Sequence, residues 1–482
     1  MLKATLFQTK ALPMTTVFTA LLMPLSVLAA FNTEPEQTEP SFYGGRSVTH
    51  DNNGETKHSI EFQRRTIAPP IITKEAEPEE KVSNIDTDPS ATVTNPAAVP
   101  PTDEQAPVKL SRNEKLLAKK AYYYFEQNWN EETGLFNSVQ GYHHSTMWDV
   151  ASGIAAILSA EGLELISAEE AESKLQQTLT TLLALPLYNN SLPNREYSTH
   201  TAQPSGRYSA TPSKGNGWSA LDIGRLLIWL EITQRYKPEF KASIQSILEH
   251  WKLEKAVYQG TLYGELKTSK KKHYRQEGRL GYLQYAAYGF DLAGFDVSTA
   301  YEQQDIEEVS VDGVPLLVDQ RNLPYFTTDP YVLAGIEFGA KEQWWNQLDA
   351  LYQLQKEKSS QQGSPWVFAE DAMSRSPWFS YNNIYIYGSA WLSIAPGGKP
   401  IENPQIFSNK VAFGLSVLFD NDDFSRQLAG KVINNSLTHR AVPTGLYLNG
   451  GPNNAYNINT NSLILSALWF KKRNFRPLAK AG

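Results

Sequence analysis

The sequence contains no cysteine, which excludes disulfides, thiolate nucleophiles, cysteine-ligated zinc and a lipid-modified N-terminal cysteine. Stability must therefore come from buried apolar surface, and a hydrophobic content of 41% over 482 residues can supply it. Histidine is scarce as well: there are eight, and only His143 and His144 are adjacent. Without spaced His, Asp or Glu partners a metal site has little support, so neither a metal nor another cofactor is expected. No Gly-x-Ser-x-Gly elbow, Walker loop or dinucleotide-binding glycine loop occurs. Long basic runs are missing too. With a net charge of −7, the short clusters Lys270 to Lys272 and Lys471-Lys472-Arg473 read as solvated surface, and nucleic acid is not an expected partner.

The most apolar stretch, Val17 to Leu28, contains Pro24 and falls short of the roughly 20 residues a membrane-spanning helix needs. Lys3 and Lys10 precede it and Val27-Leu28-Ala29-Ala30 closes it, which is the layout of a secretory signal peptide cut after Ala29, residues 1–29. An uncleaved anchor is the alternative. The expectation is a periplasmic or secreted protein with no membrane span after cleavage. Tryptophan is absent from the next segment, residues 30–110, while ten of the 28 prolines fall between Phe31 and Pro107. Such a stretch cannot bury enough apolar surface to offset its ordering entropy, and reads as a disordered linker.

From Ser111 every tryptophan and nearly every tyrosine appears, and residues 111–482 read as one large domain. A unit recurs there: a Gly- or Asn-rich loop, an aromatic and polar cluster, then a helix-like apolar stretch. Examples begin at His144, Gly215, Glu277, Thr327, Tyr381 and Asn453. Val150, Ile154, Ile157 and Leu158, and likewise Ile223, Leu226, Leu227 and Leu230, keep helical spacing. More charged amphipathic segments lie between the units, such as Ala168 to Leu183 and Pro238 to Trp251. Alternating inner and outer helices predict an all-α fold, an (α/α)6 toroid with incomplete or irregular repeats. A solenoid of helix pairs is the rival.

Several clusters could carry chemistry. Trp148-Asp149 opens an apolar helix; Thr146 three residues ahead makes a capping box, while a carboxylate beside an indole at a ring mouth also suits a sugar. Trp218, Asp222 and Arg225 lie close to one helical face, with Asp222 and Arg225 spaced for an ion pair. Glu277-Gly-Arg279 could be a loop ion pair or a substrate clamp. Thr328-Asp329-Pro330 has the residues of an N-cap and first turn, so Asp329 reads first as a cap. The loop with Trp366, Glu370, Asp371, Trp378 and Tyr381 is the densest cluster of acids and aromatics; its rings either stack on a ligand or pack a core.

The stretches Thr146-Met-Trp-Asp149, Gly217 to Arg225, Thr328-Asp-Pro-Tyr-Val332 and Ala369-Glu-Asp371 together resemble a bacterial family known as domain of unknown function 3131. That family is similar in turn to glucoamylase-like α/α-toroid proteins. The resemblance spans most of Ser111 to Phe470 and implies an (α/α)6 toroid with a link to glucan or exopolysaccharide metabolism. It implies no catalytic residues.

The reading that follows is an exported glycoside hydrolase acting on a glucan or exopolysaccharide. Two carboxylates would do the chemistry, about 6.5–9.5 Å apart for inversion, the expected outcome, or about 5–5.5 Å for retention. Glu277 is the expected acid and Glu370 the base. Asp149 and Asp222 are orienting or replacement carboxylates, and Trp148, Trp218, Trp366 and Trp378 are sugar platforms. Arg225, Asp329, Asp371 and Tyr381 complete the candidate binding set. The alternatives are a non-catalytic polysaccharide-binding or assembly protein of the envelope and, with fewer features in favour, a polysaccharide lyase. Oligomeric state is not legible.

Overall fold

The computed structural model describes residues 107–480 apart from 207, 270, 303–305, 320–324, 340–345, 387 and 397–398. The expected signal peptide and nearly all of the expected linker lie outside the described residues. Helices α1 (Arg112–Asn128), α2 (Met147–Gly162), α3 (Ala168–Ala184), α4 (Ala220–Tyr236), α5 (Lys241–His250) and α6 (Tyr282–Leu292) fill the first half. They are followed by α7 (Asp329–Glu337), α8 (Gln347–Gln362), α9 (Asn409–Leu418), α10 (Asp423–Ser436) and α11 (Ile458–Lys472). Side-chain caps start many of them: Ser111, Thr146, Ser167, Ser219, Asp422 and Asn457 each accept a first-turn backbone N–H.

Two classes of helix follow from two kinds of sequence. In α2, α4, α7 and α11 nearly every position is buried, as expected of helices with neighbours on all sides. In α3 only the stripe Ala171, Leu175, Thr178, Leu179 and Leu182 is buried, so this helix has one wet face. The buried class closes a ring, in which α2 packs on α4, α4 on α6, α6 on α7, α7 on α9, α9 on α11 and α11 back on α2. Outside it, α1 packs on α11 and α2, α3 on α2, α5 on α3 and α4, α8 on α7, and α10 on α9 and α1. This closure excludes the solenoid.

The tightest helix crossing in the ring depends on glycine. A Cβ added to Gly289 of α6 would lie 2.0 Å from the Gly224 carbonyl oxygen of α4, and one added to Gly224 would lie 2.4 Å from the Ala286 carbonyl oxygen. The two backbones touch there, and no side chain fits between them.

Strictly all-α is incorrect. Between α6 and α7 the described chain forms a hairpin, Ile306–Val311 against Val314–Asp319, in place of an outer helix. Its turn is Asp312-Gly313, both at positive φ, the dipeptide such tight hairpins prefer. Gln347 of α8 clamps the hairpin by accepting from the Leu317 N–H at 2.5 Å and donating to its carbonyl at 3.2 Å. Short strands also precede inner helices: His144–Ser145 before α2, Gly217–Trp218 before α4, Lys272–Gln276 before α6, Tyr325–Phe326 before α7 and Gln405–Ser408 before α9. Helical periodicity cannot reveal segments this short. Where the loops entering the ring are buried, as at Gly217–Trp218 and Gln405–Ser408, their backbone groups need such partners. Among the described residues no helix is long and apolar enough to cross a membrane.

Candidate functional site

The first two turns of all six inner helices supply side chains to one cavity, whose space together with its solvent-filled mouth is about 370 Å³. Trp148 comes from α2, Arg225 from α4, Tyr282 from α6, Asp329 and Leu333 from α7, Lys410 from α9, and Asn459 and Leu463 from α11; Glu370 and Phe379 enter from the loop and strand after α8. Six helix N-termini turned toward one point create a positive field, which favours carboxylates placed there.

Glu370 and Asp329 are those carboxylates. Asp329 Oδ2 accepts the Glu370 backbone N–H and the Thr327 hydroxyl, each at 3.0 Å, and its Oδ1 lies 2.6 Å from Lys410 Nζ. Lys410 also donates to the Glu370 carbonyl and lies 3.5 Å from Asp371 Oδ1. Burial alone would discharge this ammonium, but Asp329 and Asp371 outweigh it and hold Lys410 above its ordinary range. Asp371, with its Oδ2 accepting from Gln405 at 2.7 Å and Ser408 at 2.5 Å, is pushed up to about 6 by burial, against the pull of Lys410. The Glu370 side chain accepts from the Tyr282 hydroxyl at 3.0 Å.

Arg225 forms the cationic side of the cavity. Its guanidinium lies 4.6 Å from the Trp148 ring centroid, donates to Tyr285 Oη at 2.8 Å and pairs with Glu337 Oε1 at 3.1 Å. Burial raises the Glu337 carboxyl above its usual range, with Arg225 opposing. Glu337 comes from α7, a partner for Arg225 that no local pattern reveals.

The structure brings together Trp148, Arg225, Asp329 and Glu370 of the expected residues. Asp149 lies one step behind them: it closes the α2 capping box with Thr146 and accepts from the cavity residue Asn459 at 3.3 Å. Asp371 sits behind Lys410. Asp329 is not the cap that its sequence suggested; α7 begins at Asp329 itself, and the N-cap Thr328 makes no side-chain cap bond. Asp222 is buried in the first turn of α4, its N–H donating to Ser219 Oγ.

Glu277 is fully buried and does not line the cavity. It accepts the Ala220 N–H at 2.6 Å at the start of α4, lies 3.6 Å from Arg195 Nη2, and packs so closely on Gly264 that a Cβ there would lie 2.4 Å from its Oε2. Burial pushes its carboxyl up to about 7, against the pull of Arg195. Trp218 is buried, donating to the Tyr263 carbonyl at 3.1 Å. Trp366 packs on Phe368 and Tyr381 on Phe379, both within the core, while Trp378 is half-buried outside the cavity lining. The sequence reading missed Tyr282, Leu333, Phe379, Lys410, Asn459 and Leu463. Tyr282 ends the recurring unit that begins at Glu277, and Asn459 directly follows the unit ending at Ile458, so their position in the repeat was a usable signal. Lys410 carried none.

The fold has known counterparts. An endo-β-1,2-glucanase from Chitinophaga pinensis, solved with sophorotriose and glucose, superposes with a TM-score of 0.56 at 13% identity, over 75% of this chain and 93% of that one. A Bacteroides caccae protein provisionally identified as a glucoamylase gives 0.55 at 12%, over 74% and 92%. A Bacteroides fragilis protein of the same description gives 0.54 at 13%, over 79% and 97%. At such identities the likeness is one of fold. A search among curated protein sequences gave no significant match. A family model matches residues 116–474, so the chain belongs to the family described as protein of unknown function, DUF3131.

Proposed function

We propose that this protein is an exported glycoside hydrolase acting on a glucan or exopolysaccharide. The observation that carries the reading is the convergence of six inner-helix N-termini on a cavity that pairs two carboxylates, Glu370 and Asp329, with an aromatic wall of Trp148, Tyr282 and Phe379. Solved proteins of the same fold include a β-1,2-glucanase, which makes a β-1,2-glucan the first substrate to try. Export rests on the N-terminal pattern from Lys3 to Ala30, and location in the periplasm or outside the cell is part of the proposal.

In this reading the sugar stacks on Trp148; Glu370, oriented by the Tyr282 hydroxyl, gives a proton to the glycosidic oxygen as its bond to the anomeric carbon breaks, and Asp329 takes the proton that the attacking water releases. Asp329 also fixes the Glu370 backbone, whose N–H it accepts. Glu277 keeps the proton-holding character expected of an acid. Its burial beneath α4 suits it to set the position of that helix, and a direct role in proton transfer would require the α4 and α6 entry loops to part.

A second reading, a non-catalytic envelope polysaccharide-binding protein, is favoured by that same burial of Glu277, which keeps the expected acid out of the cavity lining. Incubation with a panel of α- and β-glucans, β-1,2-glucan included, separates the two. New reducing ends support hydrolysis. Saturable oligosaccharide binding with no new reducing ends after long incubation selects the second reading.

A further inference from the structure

A basic, tyrosine-bearing sheet face stands on the chain that leads into the cavity. The sheet comprises Gly217–Trp218, Val257–Tyr258, Thr261–Lys267 and Lys272–Gln276. Its register, with Tyr258 opposite Thr261, Lys272 opposite Lys267, Tyr274 opposite Glu265 and Gln276 opposite Tyr263, puts Tyr258, Tyr263, Tyr274, Lys267 and Lys272 on one face. From Gln276 the chain runs through Glu277 directly to Tyr282 at the cavity.

Two properties of this face suit a ligand. Tyr258 and Tyr274 are 48% and 43% exposed, the only aromatics among the large exposed hydrophobic side chains of the described residues, and they touch each other, with ring centroids 6.4 Å apart. Tyr263 lies 5.1 and 5.0 Å from the two. Tyr274 also meets the Trp218 ring and donates to the Lys255 carbonyl at 3.0 Å, yet close to half of Tyr258 and of Tyr274 stays open, more aromatic surface than packing uses. Lys267 and Lys272, moreover, stand directly opposite each other in the ladder, an arrangement that destabilises a sheet. Lys272 meets Glu265 at 2.7 Å, yet Glu265 is also committed to the Tyr188 hydroxyl, and exposed Lys271 adds a further positive charge at the turn. Between positions 252 and 276 the described residues carry six Lys or Arg against two Glu, in a chain whose net charge is −7.

We infer that this face binds an acidic polysaccharide, its sugar rings lying on Tyr258 and Tyr274 and its carboxylates meeting Lys267, Lys271 and Lys272. A nucleic acid fits less well. The tyrosine rings meet at 40° to 72° and offer no parallel slots for bases. The choice of a glycan as occupant rests on the function proposed above, but the binding does not depend on hydrolysis.

The test is native-gel retardation of the full protein by embedded alginate, by neutral dextran and by poly(dT). Retardation by alginate, weakened by salt, is expected, with dextran at least about tenfold weaker. Tyr258→Ala/Tyr274→Ala and, separately, Lys267→Gln/Lys271→Gln are each expected to weaken alginate retention about tenfold with the melting temperature unchanged. Equal retention of wild type and both variants, or equal retention by dextran, overturns the inference. Tighter retention by poly(dT) through the same residues assigns the face to nucleic acid instead. Hydrolysis of short gluco-oligosaccharides by the platform variants separates the two proposals, because failure of alginate binding with hydrolysis intact removes only this one.

Discussion

Asp329 accepts the backbone N–H of Glu370 at 3.0 Å, and so ties the first residue of an inner helix to the loop that carries the cavity's other carboxylate. The same carboxylate holds Lys410 at 2.6 Å, so three elements that are distant in sequence are set relative to one another by a single side chain.

Removing that side chain should loosen the whole site. Asp329→Ala leaves Lys410 buried with its nearer partner gone, and is expected to cost about 3 kcal/mol of stability in urea unfolding. Asp329→Asn retains an acceptor for the Glu370 N–H, so it should be less costly to stability while still depressing any glycan turnover. Equal stability of the Ala variant and wild type contradicts the role given to Asp329.

Arg225 and Glu337 form the buried ion pair beneath the cavity. Arg225→Met strands the Glu337 carboxyl, and a loss of about 3–5 kcal/mol is expected. Arg225→Met combined with Glu337→Leu should recover much of it. A double variant as unstable as the sum of the two single ones would show that the pair is not coupled.

Glu277 makes a pH prediction. Its carboxyl rises from the ordinary 4.5 to about 7 on folding, so between those values the folded chain binds more protons than the unfolded one. Its contribution to stability is fully present below about pH 4.5 and is lost as pH rises through 7, by roughly 3 kcal/mol. His144, lowered to about 4 mainly by burial, acts in the opposite sense over part of that range. The informative quantity is therefore the difference between wild type and Glu277→Gln. The variant should gain on wild type by that amount between pH 4.5 and 7.5 in urea midpoints, and a pH-independent difference contradicts the assignment.

The α4–α6 crossing predicts a steric effect. Gly289→Ala drives a methyl into the Gly224 carbonyl and should destabilise by about 1–3 kcal/mol, whereas Gly430→Ala in α10, where a Cβ meets nothing within 4 Å, should be neutral or stabilising. Thermal melts of the two variants compare them directly.

The helical frame was legible because it rests on local pattern. The spacing of Val150, Ile154, Ile157 and Leu158 gave an inner helix, and the charged face of Ala168 to Leu183 gave an outer one. The hairpin between α6 and α7 was not, since Ile306–Val311 and Val314–Asp319 alternate too weakly to outweigh a helical repeat expected at that place. At the site, Trp148, Asp329 and Glu370 could be found because acids and indoles in entry loops stand out. Lys410 could not: a lone lysine at the start of an apolar helix acquires meaning only when Asp329 and Asp371, from two other elements, fold against it. Trp366 and Tyr381 illustrate the converse, because aromatic density in sequence does not distinguish a ring that faces a ligand from one that faces the core.

The central claim is that Glu370 performs hydrolysis in the ring cavity. Reducing-end release from β-1,2-glucan by wild type and Glu370→Gln, with melting curves to show that both are folded, tests it most directly. The account predicts activity in the wild type and a loss of about 10²–10⁴-fold in the variant at unchanged melting temperature, the range expected when a proton-transferring group is removed. Full activity of Glu370→Gln would contradict it.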